Sequence, residues 1–205
     1  GSLRTKPTPV TVVGLSEAIK VVVGASHSCA LTAWGTVFCW GDSGPGSLGF
    51  DYGFNNPYFA SGNVRLSGGG VLSGVTDIDA GFSHTCAITM GGAVYCWGNN
   101  GFGQLGDGST SNRDVAVMVV GSAGATALGT GTNHSCFLAG GQVKCWGEGI
   151  EMATGAVTGK YALSPVTVPF GSSVTALTIS NGGNFAITVD GKTYTWGMNS
   201  NLITA

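Results

Sequence analysis

Apolar and polar positions alternate in short runs along most of the chain, and glycine interrupts them every few residues. Alternation at period two is the pattern of strands with one face buried. Four stretches carry it most clearly: Cys29–Gly41 (CALTAWGTVFCWG), Cys86–Gly98 (CAITMGGAVYCWG), Cys136–Gly147 (CFLAGGQVKCWG) and Phe185–Gly197 (FAITVDGKTYTWG). Each has β-prone residues on both sides of a short glycine-containing centre, which predicts a β-hairpin. The tryptophans Trp40, Trp97, Trp146 and Trp196 follow one another at 57, 49 and 50 residues. A period in that range predicts one supersecondary unit stacked several times.

Further strands are expected before the hairpins, in outer and inner pairs: Val10–Val13 with Ile19–Val23, Val115–Val120 with Ala125–Leu128, and Val166–Val168 with Val174–Ile179. Residues 1–14 align without gaps on 108–121, which sets repeats at 1–57, 58–107, 108–156 and 157–205 within a single domain. Four strands per repeat, arranged radially, is the propeller solution to exposed sheet edges. The fold class expected is all-β, a propeller of four-stranded antiparallel blades, part of a larger or oligomeric propeller. Each hairpin tryptophan is expected to pack between blades.

The six cysteines sit symmetrically about the hairpin centres. In the third copy Cys136 and Cys145 flank Gly140-Gly141, a two-residue loop suited to positive φ. The first two copies are one residue longer, with Gly35 or Gly92 closing a three-residue loop. Counting outward places the cysteines opposite each other at about 4.5 Å between Cα atoms, the short end of the disulfide range. In the fourth copy Phe185 and Thr195 replace both cysteines together. The expected pairs are Cys29–Cys39, Cys86–Cys96 and Cys136–Cys145. His27, His84 and His134 precede the first cysteine of each pair by two residues, a set that could hold zinc. With no C-x-x-C and no second histidine nearby, no metal and no cofactor is expected. Each histidine is expected to pack at its strand start and bond locally.

The phrase Trp97-Gly-Asn-Asn-Gly-Phe-Gly-Gln-Leu-Gly106, preceded by Ala80-Gly-Phe-Ser-His-Thr-Cys-Ala-Ile88, resembles the regulator of chromosome condensation repeat. The resemblance covers essentially the whole chain and is stronger in the first two repeats. It implies a β-propeller, commonly of about seven blades. Functions of the family range from a nuclear nucleotide-exchange factor docking on chromatin to a plant ultraviolet receptor and a secreted bacterial β-lactamase inhibitor. A shared scaffold does not choose among them.

Composition narrows the choice. Charged residues are 9% of the chain, net charge is −2, and glycine contributes 37 residues. The 8 lysines and arginines are scattered, so no basic patch for nucleic acid is expected. The Gly-Trp-Arg-His-Thr runs of the light receptor are absent, and none of Arg4, Arg65 and Arg113 adjoins a tryptophan. No apolar run suffices for a membrane span. Three local cysteine pairs favour an oxidising setting: extracellular, periplasmic or surface-displayed. Gly1 opens no signal peptide, so an exported form is expected to be mature or trimmed. Asn133-His134-Ser135 is a glycosylation sequon inside the repeat phrase.

Other motifs dissolve into the repeat. Gly41-Asp-Ser-Gly-Pro45 resembles a serine-protease nucleophile box, but Ser43 aligns with Asn100 of the ordinary repeat loop. Asp107–Asp114 has oxygens at alternate positions yet lacks a calcium loop's closing glutamate. Asp77 and Asp79 share a strand face by period two without defining a glycosidase pair. One stretch breaks the period. Trp40 to His84 spans 44 residues against 37 from Trp97 to His134, so roughly seven are inserted. They fall in Phe50–Phe59, which offers Phe50, Tyr52, Phe54, Tyr58 and Phe59, with Arg65 beyond, as candidate binding residues. The expected function is a non-catalytic protein-binding module. Alternatives are a self-assembling surface or fibre component and a secreted enzyme inhibitor. The partner is thus another protein or copies of itself, with no small-molecule substrate.

Overall fold

The structure, a computed structural model, describes residues 8–51, 60–149, 161–180 and 183–197. Fifteen strands in these residues form four antiparallel sheets. Sheet one comprises β1 (Ala18–Val23), β2 (His27–Thr32), β3 (Val37–Gly41) and β4 (Ala60–Asn63). Sheet two comprises β5 (Val75–Ala80), β6 (His84–Thr89), β7 (Val94–Gly98) and β8 (Arg113–Met118). Sheet three comprises β9 (Ala125–Thr130), β10 (His134–Ala139), β11 (Gln142–Glu148) and β12 (Tyr161–Thr167). Sheet four has three described strands, β13 (Val174–Ile179), β14 (Asn184–Thr188) and β15 (Thr193–Trp196).

The hairpins form where the alternation places them, and glycine makes the third one possible. Gly140 and Gly141 both adopt positive φ, 55° and 78°, the conformation a two-residue loop of the tightest kind requires. The outer strands join the sheets differently from expectation. Arg113–Met118 pairs with β7 of the preceding hairpin, and Tyr161–Thr167 pairs with β11, so each outer strand closes the sheet before it. Val10–Val13 forms no strand, and Val10 and Val13 are exposed. A periodic sequence can be cut at any phase, and only the hydrogen-bond ladder chooses the cut.

Each inner strand also carries a register shift near its start, between Ala18 and Lys20, Val75 and Asp77, Ala125 and Ala127, and Val174 and Ala176. The extra residue is Thr76, Thr126 or Thr175 in sheets two to four, and its hydroxyl donates to the carbonyl of Ile88, Leu138 or Ile187. Such bulges bend and twist the strand.

The core lies in the layers between sheets. One buried cluster joins Val22, Cys29, Leu31 and Leu48 from the first repeat to Val75, Ile78, Ala87 and Trp97 of sheet two. Another joins Cys86, Ile88 and Leu105 to Phe137 and Trp146, and Cys136 and Leu138 to Val174 and Ile179. One face of each sheet therefore meets the opposite face of the next.

Candidate functional site

The cysteines lie in these layers, buried and paired as Cys29–Cys39, Cys86–Cys96 and Cys136–Cys145, with Cα atoms 4.1, 4.2 and 4.0 Å apart. No described cysteine is free. With both sulfurs of each pair committed to each other, the three-residue His-Cys-Cys sets have no thiolate to offer a metal. Among the described residues no cluster of three or more His, Cys, Asp or Glu is placed to hold one.

The histidines do not bond locally. His27 Nε2 lies 2.8 Å from the Thr85 hydroxyl, His84 Nε2 2.8 Å from the Ser135 hydroxyl, and His134 Nε2 2.8 Å from Asn184 Oδ1. Each contact crosses from one sheet to the next. His27 and His84 are buried, and their Nδ1 atoms have no partner. A bare ring acceptor costs less there than a bare N–H donor, so Nε2 carries the proton and donates. Burial holds the imidazoles neutral, with pKa lowered to about 4 at His27 and about 3 at His84. His134 is lowered for the same reason.

The loop that follows each hairpin completes the junction. The Ser135 hydroxyl donates to the Gln104 carbonyl at 3.0 Å, and Trp146 Nε1 donates to the same oxygen at 2.7 Å. Trp97 Nε1 likewise donates to the Ser47 carbonyl at 3.1 Å. One repeat thus supplies a histidine and a loop carbonyl, and the next supplies a hydroxyl and an indole. The sequence shows the tryptophan in its packing role but hides this polar half, because the partners lie a full repeat apart.

The tempting motifs become structural. Ser43 is buried in the turn that Gly46 N closes on its carbonyl. Asp107 accepts from Asn100 Nδ2, Ser109 and Arg113, so the guanidinium stands where the calcium reading would put a cation. Asp77 pairs with Lys20 of sheet one at 2.6 Å, whereas Asp79 accepts from Thr130 of sheet three. The two carboxylates keep regular register on the inner strand yet bond to different neighbouring sheets, so they do not form a working pair. Asn133 Nδ2 donates to Glu148.

Of the candidate binding residues, Phe50 is half-buried, bridges to Val115 and packs on the core between sheets one and two. It is a stem residue rather than an exposed anchor. Arg65 is exposed, and its backbone N–H holds the Gly49 carbonyl at 2.7 Å. Tyr52, Phe54, Tyr58 and Phe59 lie outside the described residues. The stems leave sheet one opposite Gly41, on the rim that also carries the turn at Ala25 and its neighbour Phe82. Phe82 is 52% exposed there. On the other rim Trp34 and Met90 stand 77% and 81% exposed at hairpin tips. These two aromatic side chains and one thioether were not singled out from the sequence as binding residues; single apolar residues at turns carry no periodic signal.

Models of the regulator of chromosome condensation (RCC1) repeat match residues 18–46, 75–104 and 91–138. The RCC1 domain-containing protein RUG3, mitochondrial, of Arabidopsis thaliana is 31% identical over 98% of this chain and 46% of its own length. The mouse E3 ubiquitin-protein ligase HERC2 is 29% identical over 94% of this chain, which is 4% of that protein. Yeast RCC1 (Prp20), solved bound to Kap60, superposes with a TM-score of 0.76 at 19% identity, covering 93% of this chain and 46% of that one. The ectodomain of the Physcomitrella patens receptor kinase CR4 superposes at 0.55 with 20% identity, over 87% of this chain and 40% of the other. The chain thus spans less than half of each of these proteins. Four successive sheets, the Trp-Gly hairpins and the matched segments together place it in the regulator of chromosome condensation repeat family, with a β-propeller fold.

Proposed function

We propose that this chain is an exported, non-catalytic protein-binding propeller that engages its partner through the rim bearing the Phe50–Phe59 segment and Phe82. A protein partner accords with the relatives: yeast Prp20 was solved with Kap60. The observation that carries export is the set of three disulfides, one in each of the first three sheets and all buried in the layers. Such bonds form and persist where the surroundings oxidise thiols. Each closes a hairpin of 9 or 10 residues, which the chain-entropy model values at roughly 2.5 kcal/mol. The same fold serves as the ectodomain of the CR4 receptor kinase, so it is compatible with life outside a cell.

The test has two arms. Protein recovered from its own source is alkylated under denaturing, non-reducing conditions and located by fraction. The expected result is no labelled cysteine, with the protein in the exported fraction; labelled thiols in a cytosolic fraction overturn export. In the second arm, Tyr52, Phe54 and Tyr58 are changed to serine and capture from the source's extracellular fluid is compared with a Trp34→Ser control. Loss of capture in the triple variant alone, at an unchanged melting midpoint, supports the rim assignment. Equal loss in both, or a large fall in melting midpoint, removes it.

A further inference from the structure

The hairpin tips stand in a row along one rim, and their polar groups are turned inward. Thr32, Thr89 and Thr188 form the base of the tips of sheets one, two and four. Their hydroxyls lie 3.2, 3.2 and 3.1 Å from the carbonyls of Thr36, Ala93 and Lys192. At the apex Gly35, Gly92 and Gly191 donate back to the carbonyls of the same threonines at 2.9, 2.8 and 2.9 Å. Ala33, Met90 and Val189 donate to Glu17, Gly74 and Ser173, the residues just before the inner strand of each sheet. The Gly35 and Gly92 carbonyls in turn receive the N–H of Val75 and Ala125 from the next sheet. These groups are satisfied within the protein, so a drier medium costs them little.

What the tips send outward is apolar. Val189 is 69% exposed at the tip of sheet four, in the company of Trp34 and Met90 at the tips of sheets one and two. Val71, in the turn between β4 and β5 on the same rim, is exposed as well. Charge separates this rim from the opposite one. Beside the tips stand Glu17, Arg65 and the ion pair Asp190–Lys192, which together carry no net charge. The opposite rim carries Asp42, Asp51, Asp114 and Glu148 against Arg113, whose guanidinium is committed to Asp107. One rim is thus acidic, and the other is neutral with apolar points.

From this asymmetry we infer that the tip rim docks on a lipid surface, seating Trp34, Met90 and Val189 in the interface of a zwitterionic bilayer. The three side chains stand on separate sheets with glycine-rich backbone around them. They offer separate anchoring points rather than the contiguous, well-packed patch that a protein interface requires. A fluid bilayer accepts separate points, and an indole is suited to the depth of the headgroups. Because the tips are held by their own hydrogen bonds, insertion orders little that was free before. With no surplus of lysine or arginine beside the tips, anionic lipid adds no attraction. The acidic rim then faces away from the bilayer. It is also the rim proposed above to bind a protein, so either assignment can fail without the other.

Flotation of the native chain with phosphatidylcholine vesicles tests it. The chain is expected to rise with the vesicles at low and high salt alike, and replacing part of the lipid by phosphatidylserine is expected to add nothing. Trp34→Ser should weaken partitioning about tenfold, roughly the loss of one buried apolar side chain. Trp34→Ser/Met90→Ser/Val189→Ser should abolish flotation at an unchanged melting midpoint, since all three side chains are exposed in the free protein. Bromine on the acyl chains should quench the fluorescence of the native chain. Trp34→Phe should keep flotation and lose most of that quenching, a comparison that stands even if the triple variant folds poorly. A native chain that stays with the soluble fraction overturns the inference. So does flotation that survives the triple substitution, or that needs phosphatidylserine and fails in salt. Self-association of the native chain without lipid, lost in the triple variant, would give the rim to a second copy and overturn it too.

Discussion

The junction between sheets two and three and the outer face of sheet one are built from aligned residues but live in different surroundings. At the interior junction Trp146 is sealed, its indole shares the Gln104 carbonyl with Ser135, and Ser135 is held by His84. On sheet one Trp40 and Ser28 have the same strand positions, and among the described residues neither the loop nor the histidine meets them. The difference shows how repeat proteins divide labour. A hairpin is locally complete, with its disulfide and turn, while its broad face is finished only by a neighbour.

The largest effect expected from this contrast is on tryptophan. Trp97→Ala should cost about 3–5 kcal/mol, since it empties a closed site and leaves the Ser47 carbonyl without its donor. Trp40→Ala should cost about half as much or less, because part of that ring already meets water. Urea unfolding of the two variants checks the ratio. Equal losses would mean that the sheet-one face is covered in solution and would erase the contrast.

Acid comes next, and its sign follows from the neutral histidines. Folded His27 and His84 titrate near 4 and 3, well below the ordinary 6.5. Between pH 6.5 and those values the unfolded chain binds protons that the folded chain refuses. Stability is therefore full above about pH 6.5 and falls with acid by about 1.4 kcal/mol per pH unit for each such histidine. The interval from pH 6.5 to 5 keeps ordinary carboxylates out of the measurement. His84→Gln should flatten the slope by one such increment. An unchanged slope would show that His84 is solvated in the folded state and that the interior junction is looser than its geometry.

The same contrast explains what could be read beforehand. Hairpins and disulfides were legible because their partners are 9 or 10 residues apart and fixed by the turn, and because Phe185 and Thr195 replace both cysteines at once. Sheet membership was not, since Arg113–Met118 is equally periodic whether it opens one repeat or closes another. The polar half of the junction was hidden for a further reason. His84 and Ser135 are 51 residues apart and meet across two sheets, where no spacing rule applies. One trace was present: Gly24, Gly81 and Gly131 become Ser180 in the repeat where histidine becomes Gly183. The loop from Phe50 announced itself by length alone, and Phe50 proved to be a packing residue because the core between sheets one and two reaches the loop's stem.

The smallest effect lies at the inner edge of sheet one. Thr76, Thr126 and Thr175 sit at the bulge of their inner strands, and each hydroxyl bonds the carbonyl 12 residues ahead. Ile19 holds that position in sheet one, where it is 67% exposed and has no hydroxyl to offer the Leu31 carbonyl. Threonine and isoleucine are both β-branched and suit a strand equally well, so exchanging them isolates the hydrogen bond. Ile19→Thr should therefore stabilise the chain by about 0.5 kcal/mol, the low end for one net hydrogen bond at an exposed edge. The urea midpoint should rise with no change in slope. A loss of about 1 kcal/mol or more, the cost of removing a buried methyl, would show that Ile19 is covered in solution. The inner edge of sheet one would then be more enclosed than those of its neighbours, whose bulge threonines are exposed, and the contrast would have to be confined to Trp40 and Ser28.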